Sequence, residues 1–214
     1  SVFRWTIDGG FGACTSTNDA TINVDATITT ADAGPTQNLC NTTSGTLAAN
    51  TPSASETGTW TTVSGTGSAS SLNSPTSAVT GLTVGASSVF KWTITSGFGG
   101  CSSSAGNVTI SVDQSATVSA AGADQNLTAC ATTATLDGNT PSAGTGAWSV
   151  VSGTATITDD TDPVSGLTGL VVGTSATLRW TITNGACSST DDVIITTNTG
   201  PGCEGYCPST ATNG

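Results

Sequence analysis

Bulky apolar residues alternate with polar ones in three short stretches of the chain. The stretches begin at residues 2, 89 and 177, so they are 87 and 88 residues apart, and they read VFRWTI, VFKWTI and TLRWTI. In the first copy Phe3, Trp5 and Ile7 fall on one face, whereas Arg4 and Thr6 fall on the other. A period of two predicts a half-buried β-strand. Its recurrence predicts a tandem array of similar domains.

Other motifs recur in register with this strand. Residues 26–113 and 114–198 correspond along their whole length, and turn residues separate short apolar alternations about every ten residues. We interpret each segment as a complete antiparallel β-sandwich repeat with about seven strands. Residues 199–214 break the pattern, and we interpret them as a linker or the start of a further module. The predicted fold class is therefore all-β.

Residues 1–25 contain only the features that close a repeat in the later copies. We expect them to form the last hairpin of an incomplete repeat. The missing strands can come from sequence upstream of residue 1 or from another molecule that adds strands to the open edge. The chain contains no Met and shows no signal-peptide pattern, which favours a processed product or a fragment.

The turn of the last hairpin can be placed from the dipeptide Asn184-Gly185, which is preferred in two-residue type I′ turns. This placement predicts three facing pairs: Thr183 with Ala186, Ile182 with Cys187, and Arg179 with Thr190. Asp192 then lies diagonally across from Arg179, where a cross-strand ion pair can form.

The same count, applied to the first hairpin, places Arg4 opposite Thr17 and diagonal to Asp19. The middle copy has Lys91 at this position but no corresponding acid. The alternative to an ion pair is that the cation only keeps the outer face of the strand soluble.

The seven cysteines recur with the repeat, which predicts disulfides and an oxidising, extracellular setting. Each full repeat has one cysteine near its first strand and one after the turn of its last hairpin. We therefore predict the bridges Cys40–Cys101 and Cys130–Cys187, with Cys14 bound to an upstream cysteine and Cys203–Cys207 as a possible third pair. Zinc sites use closely spaced pairs in matched sets, and the chain offers only one such pair.

The charge and the absent residue types exclude several functions. The net charge is −11, with three cations and no His. A nucleic acid needs a basic surface, so we predict no nucleic-acid partner, and no stretch is apolar enough for membrane insertion. Without His, the common Ser and Cys catalytic triads are absent. Trp60 and Trp148 could stack on sugars, but a Trp in a middle strand of a sandwich is typical of the core.

Acidic residues are the remaining candidates for chemistry. Asp159, Asp160 and Asp162 form the densest cluster, yet the previous repeat has no acid at the corresponding place, which argues against a catalytic carboxylate pair. We predict no catalytic residue, cofactor or metal site. Calcium remains the alternative, because it prefers oxygen ligands. Its candidates are this cluster and two junction pairs, Asp25 with Asp32 and Asp113 with Asp124.

Taken together, the motifs resemble those of a known family. They are A-G-x-x-Q-N-L, L-x-x-N-T-P, G-x-W-x-x-V-S-G-T, T-G-L-x-V-G and R-W-T-I-T-N-G-A-C-S-S-T-D-D-V. Residues 1–198 look like the immunoglobulin-like or PKD-like repeats of giant Bacteroidetes surface adhesins. The resemblance is greatest to the repeats of adhesins that act in gliding motility. The resemblance implies immunoglobulin-like sandwiches, export by the type IX secretion machinery and display at the cell surface.

The predicted function is a non-catalytic stalk segment of a long extracellular adhesin. Its partners would be other repeats of the same chain, with surface glycans or solid substrata bound through other domains. The alternatives are a subunit of an extracellular fibre with strand exchange between chains, and a spacer in a secreted multimodular enzyme.

Overall fold

The computed structural model describes residues 1–10, 14–24, 27–97, 101–201 and 203. This part of the chain contains strands and turns but no helix. The first two strands are β1 (Val2–Asp8) and β2 (Thr15–Thr21). Seven more follow: β3 (Gln37–Cys40), β4 (Ser44–Thr46), β5 (Glu56–Ser64), β6 (Ser68–Ala69), β7 (Ala78–Thr80), β8 (Ala86–Ser96) and β9 (Ser104–Asp113). The last seven are β10 (Gln125–Ala129), β11 (Ala134–Thr135), β12 (Thr145–Ser152), β13 (Thr156–Ile157), β14 (Gly166–Thr168), β15 (Ser175–Asn184) and β16 (Cys187–Asn198).

The chain divides into two compact units. The first comprises Ser1–Gln37 and Thr42–Ser111. The second comprises Val112–Gly214 together with the short segment Asn38–Asn41, which contains Cys40.

The strands β10–β16 form two sheets. One sheet has the order β10-β16-β15-β12 and the other has the order β11-β14-β13. Both sheets contribute side chains to one buried cluster, in which Trp148, Trp180 and Ile182 come from the larger sheet and Leu167 from the smaller one. Two sheets that bury their inner faces against each other make a β-sandwich.

The strands β3–β9 repeat the same arrangement. Their sheets have the orders β3-β9-β8-β5 and β4-β7-β6, which match the later set strand for strand. Along β8, Phe90, Trp92 and Ile94 are fully buried, as the alternation predicted. Trp60 and Trp148 are also buried, so their assignment to the core is confirmed.

Each four-stranded sheet is centred on a pair of tryptophans from neighbouring strands. Trp60 lies opposite Trp92, and their ring centroids are 4.9 Å apart. Gly58, two residues before Trp60, makes room for the Trp92 ring, because a Cβ atom on Gly58 would lie 2.0 Å from that ring. Only a residue without a side chain fits there.

The register predicted for the last hairpin is wrong. The structure places Asn184 opposite Cys187, so the turn residues are Gly185 and Ala186. Gly185 has a φ of 58°, whereas Ala186 does not have a positive φ. A type I′ turn needs positive φ at both central residues, so the Asn-Gly signal does not place this turn.

The observed register differs from the predicted one at every residue pair of the β1–β2 and β15–β16 hairpins. Thr183 faces Ser188, Ile182 faces Ser189 and Thr181 faces Thr190. Arg179 therefore lies directly opposite Asp192, and in the first hairpin Arg4 lies directly opposite Asp19. Both acids are cross-strand neighbours of the cation rather than diagonal ones.

Candidate functional site: the cysteine framework and the exposed hairpin

The disulfide pairs differ from those predicted. Cys40 is bonded to Cys187, and Cys130 is bonded to Cys203. The Cα–Cα distances are 4.9 Å and 5.4 Å, which are ordinary for disulfides. The predicted pairs Cys40–Cys101 and Cys130–Cys187 are therefore wrong. Cys203 is not available to Cys207, which lies outside the described residues.

The parallel pairing of first and last strands explains the correction. The strand β10 runs parallel to β16, so Cys130 lies at the far end of β16, where its N–H donates to Asn198 O at 3.0 Å. Cys187 is the first residue of β16. A strand of this length spans about 36 Å, far beyond the reach of a disulfide.

The same geometry applies to Cys40. The N–H of the next residue, Asn41, donates to Asp113 O at the end of β9. The same oxygen lies 3.7 Å from the Cys187 sulfur, so both cysteines meet at this carbonyl. Cys101 lies just before the first residue of β9, at the end of the strand away from Asp113. Cys14 is exposed.

The three clustered aspartates that were candidate calcium ligands make hydrogen bonds within the chain, mostly to backbone N–H groups. Asp159 Oδ1 accepts hydrogen bonds from the Thr161 N–H at 2.9 Å and the Thr161 hydroxyl at 2.7 Å. The hydroxyl bond is the largest of the causes that lower the pKa of Asp159. Asp162 Oδ1 accepts from the Val164 N–H, and the backbone carbonyl of Asp160 accepts from the Trp148 N–H.

The junction aspartates act in the same way. Asp32 accepts from the Gly34 N–H, Asp113 from the Ala186 N–H, and Asp124 from the Ile194 N–H. Asp25 lies outside the described residues. Across the ranges that the structure describes, no group of three or more His, Cys, Asp or Glu side chains could hold a metal ion.

Both ion pairs that the sequence allowed are formed in the structure. Arg179 donates to the two carboxylate oxygens of Asp192 at 2.7 Å and 2.8 Å, and Arg4 binds Asp19 in the same two-bonded way. The hydrogen bonds from each arginine hold the pKa of its aspartate below the ordinary range. Lys91 makes no ion pair with any described residue.

The asparagine of the N-T-P motif has a role that the sequence did not reveal. Asn139 Oδ1 accepts from the Ala120 N–H, and its Nδ2 donates to Val118 O. Asn50 makes the same two bonds to Asp32 N and Thr30 O. In each repeat this side chain therefore fixes the segment that leads into the sandwich. The repetition of N-T-P in both repeats was the only signal for it.

The β1–β2 hairpin has an uncovered apolar face. Phe3, Trp5 and Ile7 are 57%, 71% and 57% exposed, and β1 pairs with β2 alone within the described chain. Ile22 and Val24, which follow β2, are also exposed. This face carries the motif that is buried in both later copies.

No family model matches the chain, and no curated protein matches it in sequence. Among solved structures, extracellular domains 3–5 of Drosophila OTK align with a TM-score of 0.51 and 9% identity, over 91% of this chain and 69% of that one. Immunoglobulin domains 1–4 of Sidekick-1 align with a TM-score of 0.45 and 11% identity, over 91% of this chain and 56% of that one. The PKD domain of the KIAA 1837 protein aligns with a TM-score of 0.32 and 27% identity, over 44% of this chain and 94% of that one.

The chain has an immunoglobulin-like β-sandwich fold. At these identities the likeness shows the fold alone. The two disulfides of the immunoglobulin-like units are typical of extracellular or secreted proteins. In the described part of the chain, no helix has the length and hydrophobicity needed to cross a membrane.

Proposed function

We propose that this chain is a non-catalytic stalk segment of a long extracellular adhesin. It holds a binding tip away from the cell and transmits force during surface adhesion and gliding motility. Two consecutive immunoglobulin-like sets of strands with one strand order support a structural role. The observation that carries the proposal is the overlap of the two disulfides along the chain.

The disulfides shorten the covalent path that bears tension. Cys40 and Cys187 are 147 residues apart in sequence, and Cys130 and Cys203 are 73 apart. A pull on the two chain ends passes from Cys40 directly to Cys187, so the residues between them cannot be extended while the bond is intact. A stalk under load keeps its length in this way even when its sheets open.

The polar groups support a structural role as well. The carboxylates of Asp159, Asp162 and Asp192 accept hydrogen bonds from turns or from a cross-strand arginine. Asp159 and Asp162 belong to the acidic cluster that was considered above for catalysis and calcium binding.

The setting follows from the sequence resemblance to repeats of gliding-motility adhesins. It supports display at the cell surface after passage through the type IX secretion machinery. The partners proposed for this segment are other repeats of the same chain. Surface glycans or solid substrata would be bound by other domains.

Single-molecule stretching between residues 1 and 214 tests the stalk function. In oxidising buffer we expect the residues between Cys40 and Cys187 to add nothing to the measured extension of the chain. Reduction should release about 500 Å of additional length, at about 3.5 Å per extended residue. The matched control is the double variant Cys40→Ser/Cys187→Ser. It should reach a greater extension than the wild type in oxidising buffer, because only the loop closed by Cys130–Cys203 stays out of the stretched path. Full extension of the oxidised wild-type chain would exclude the load-bearing role.

A subunit of an extracellular fibre with strand exchange between chains is the second candidate. The exposed apolar face of the β1–β2 hairpin favours it, because such a face can accept strands from another molecule. A fibre of this kind requires that copies of the chain associate through the hairpin, which the light-scattering experiment described below measures.

A further inference from the structure

The β1–β2 hairpin can be compared with two covered versions of itself in the same chain. Trp5 is 71% exposed, whereas its counterparts Trp92 and Trp180 are fully buried. Phe3 and Ile7 are likewise exposed where the later copies bury the equivalent residues. The chain therefore shows what covers this motif when a repeat is complete.

In the first full repeat the cover begins with the strand β5. It pairs antiparallel with β8 and places Trp60 opposite Trp92 and Gly58 opposite Ile94. A Cβ atom on Gly58 would lie 2.0 Å from the Trp92 ring, so the glycine is what admits the ring.

The second full repeat uses the same arrangement. The strand β12 places Trp148 opposite Trp180 and Gly146 opposite Ile182. The two rings have centroids 5.0 Å apart, and a Cβ atom on Gly146 would lie 2.1 Å from the Trp180 ring. A Gly-x-Trp strand is thus the repeated complement of the motif.

We propose that the exposed face of the β1–β2 hairpin is a docking site for an immunoglobulin-like segment that supplies a Gly-x-Trp strand antiparallel to β1. The segment lies outside residues 1–214. A second copy of the chain is a poor source, because its own Gly-x-Trp strands, β5 and β12, are already paired with β8 and β15.

The two covered copies fix the register of the docked strand. Its tryptophan lies opposite Trp5 and its glycine opposite Ile7. The residue after its tryptophan lies opposite Arg4, and it is a small hydroxyl residue, since Thr61 faces Lys91 and Ser149 faces Arg179 in the later copies. Docking does not depend on force transmission, so it can fail or hold independently of the stalk function.

The test is a graft onto the full chain. Residues 27–88, which cover β8 in the first full repeat, are placed directly before Val2, which corresponds to Val89. We expect the amides of β1 to exchange at least about tenfold more slowly than in the ungrafted chain, because they become hydrogen-bonded and buried. Acrylamide should quench tryptophan fluorescence less, because Trp5 is the exposed tryptophan of the chain.

Two matched variants carry their change only in the grafted copy. Gly58→Ala should abolish the protection of β1, because the added methyl group occupies the place of the Trp5 ring. Thr61→Ala should leave the protection intact, because an alanine there meets no ring. The amide exchange of β8 and β15 in the original chain reports that the remaining sheets stay folded.

Two results would overturn the proposal. One is a graft in which Trp5 stays as accessible to acrylamide as before. The other is an ungrafted chain that forms a dimer by light scattering and protects Trp5 in that dimer, because the occupant would then be a second copy. A monomer with an accessible Trp5 in the ungrafted chain, together with protection in the graft, supports the proposal.

Discussion

At the scale of single residues, the two tryptophan pairs differ in one hydrogen bond. The Nε1–H of Trp180 donates to Asn139 O at 3.2 Å. The equivalent Nε1–H of Trp92 is buried and has no hydrogen-bond partner among the described residues. A buried donor without an acceptor loses its bond to water and gains nothing in return.

Replacing each of these tryptophans by phenylalanine should therefore have unequal effects. Both Trp92→Phe and Trp180→Phe remove the same volume from similar sites. Trp180→Phe also leaves Asn139 O without its donor, so it should lower the free energy of unfolding by about 1 kcal/mol more than Trp92→Phe. Urea unfolding of the two variants, monitored through the amide exchange of β8 and β15, measures the difference in the free energy of unfolding. Equal losses would contradict the role of this bond.

The glycines opposite the tryptophans are the second residue-scale test. Gly58→Ala and Gly146→Ala each drive a methyl group into an indole ring, so each should destabilise its own sheet by about 1–3 kcal/mol. Thr61→Ala is the control, since Thr61 is exposed on the same strand. Amide exchange in β8 and β15 reports the two sheets separately. A loss no larger than that of the control would show that the ring has room to move.

At the scale of strands and hairpins, the alternation of apolar residues predicted β8, β15 and their buried faces correctly. This pattern depends only on neighbours in sequence. The turn of the last hairpin was misplaced, because Asn184-Gly185 is a strong signal for a type I′ turn and the chain turns at Gly185-Ala186 instead. The Arg179–Asp192 ion pair was one of two alternatives that the sequence left open, and it survives the change of register because Asp192 moves only from a diagonal to a facing position.

The Arg179–Asp192 pair makes the hairpin sensitive to acid. Because the pKa of Asp192 is lower in the folded than in the unfolded protein, the pair stabilises the fold above the ordinary aspartate pKa near 4. That stabilisation is lost as the pH falls through the folded-state pKa.

We expect Asp192→Asn to lower the melting temperature slightly at pH 7, and the difference from wild type to narrow as the pH falls below about 4. Lys91→Gln is the control. Lys91 faces Thr61 and makes no ion pair with a described residue, so its effect should not change over this range. A difference for Asp192→Asn that stays constant with pH would show that the pair contributes nothing.

At the scale of the whole molecule, the disulfides could not be predicted from the repeat alone. Equal positions in successive repeats indicated pairing within each repeat. The structure excludes it because the first and last strands are parallel, which separates the cysteines by the length of a strand. The parallel pairing of these strands brings together residues about 70 positions apart in the sequence, and no pattern among neighbouring residues predicts it.

Peptide mapping of the oxidised protein should recover the linked pairs Cys40 with Cys187 and Cys130 with Cys203. The variant Cys187→Ser should make Cys40 reactive towards a maleimide, whereas Cys101→Ser should leave Cys40 unreactive. A Cys40–Cys101 peptide from the oxidised wild-type chain would refute the framework.

The overlap of the two bonds also decides what a protease can do to this protein. A single cut anywhere from residue 41 to residue 202 falls inside at least one of the closed loops. The two fragments then remain covalently attached through that disulfide. Reduction of the disulfides, or further cleavage that frees a piece without a bonded cysteine, is needed to release a fragment.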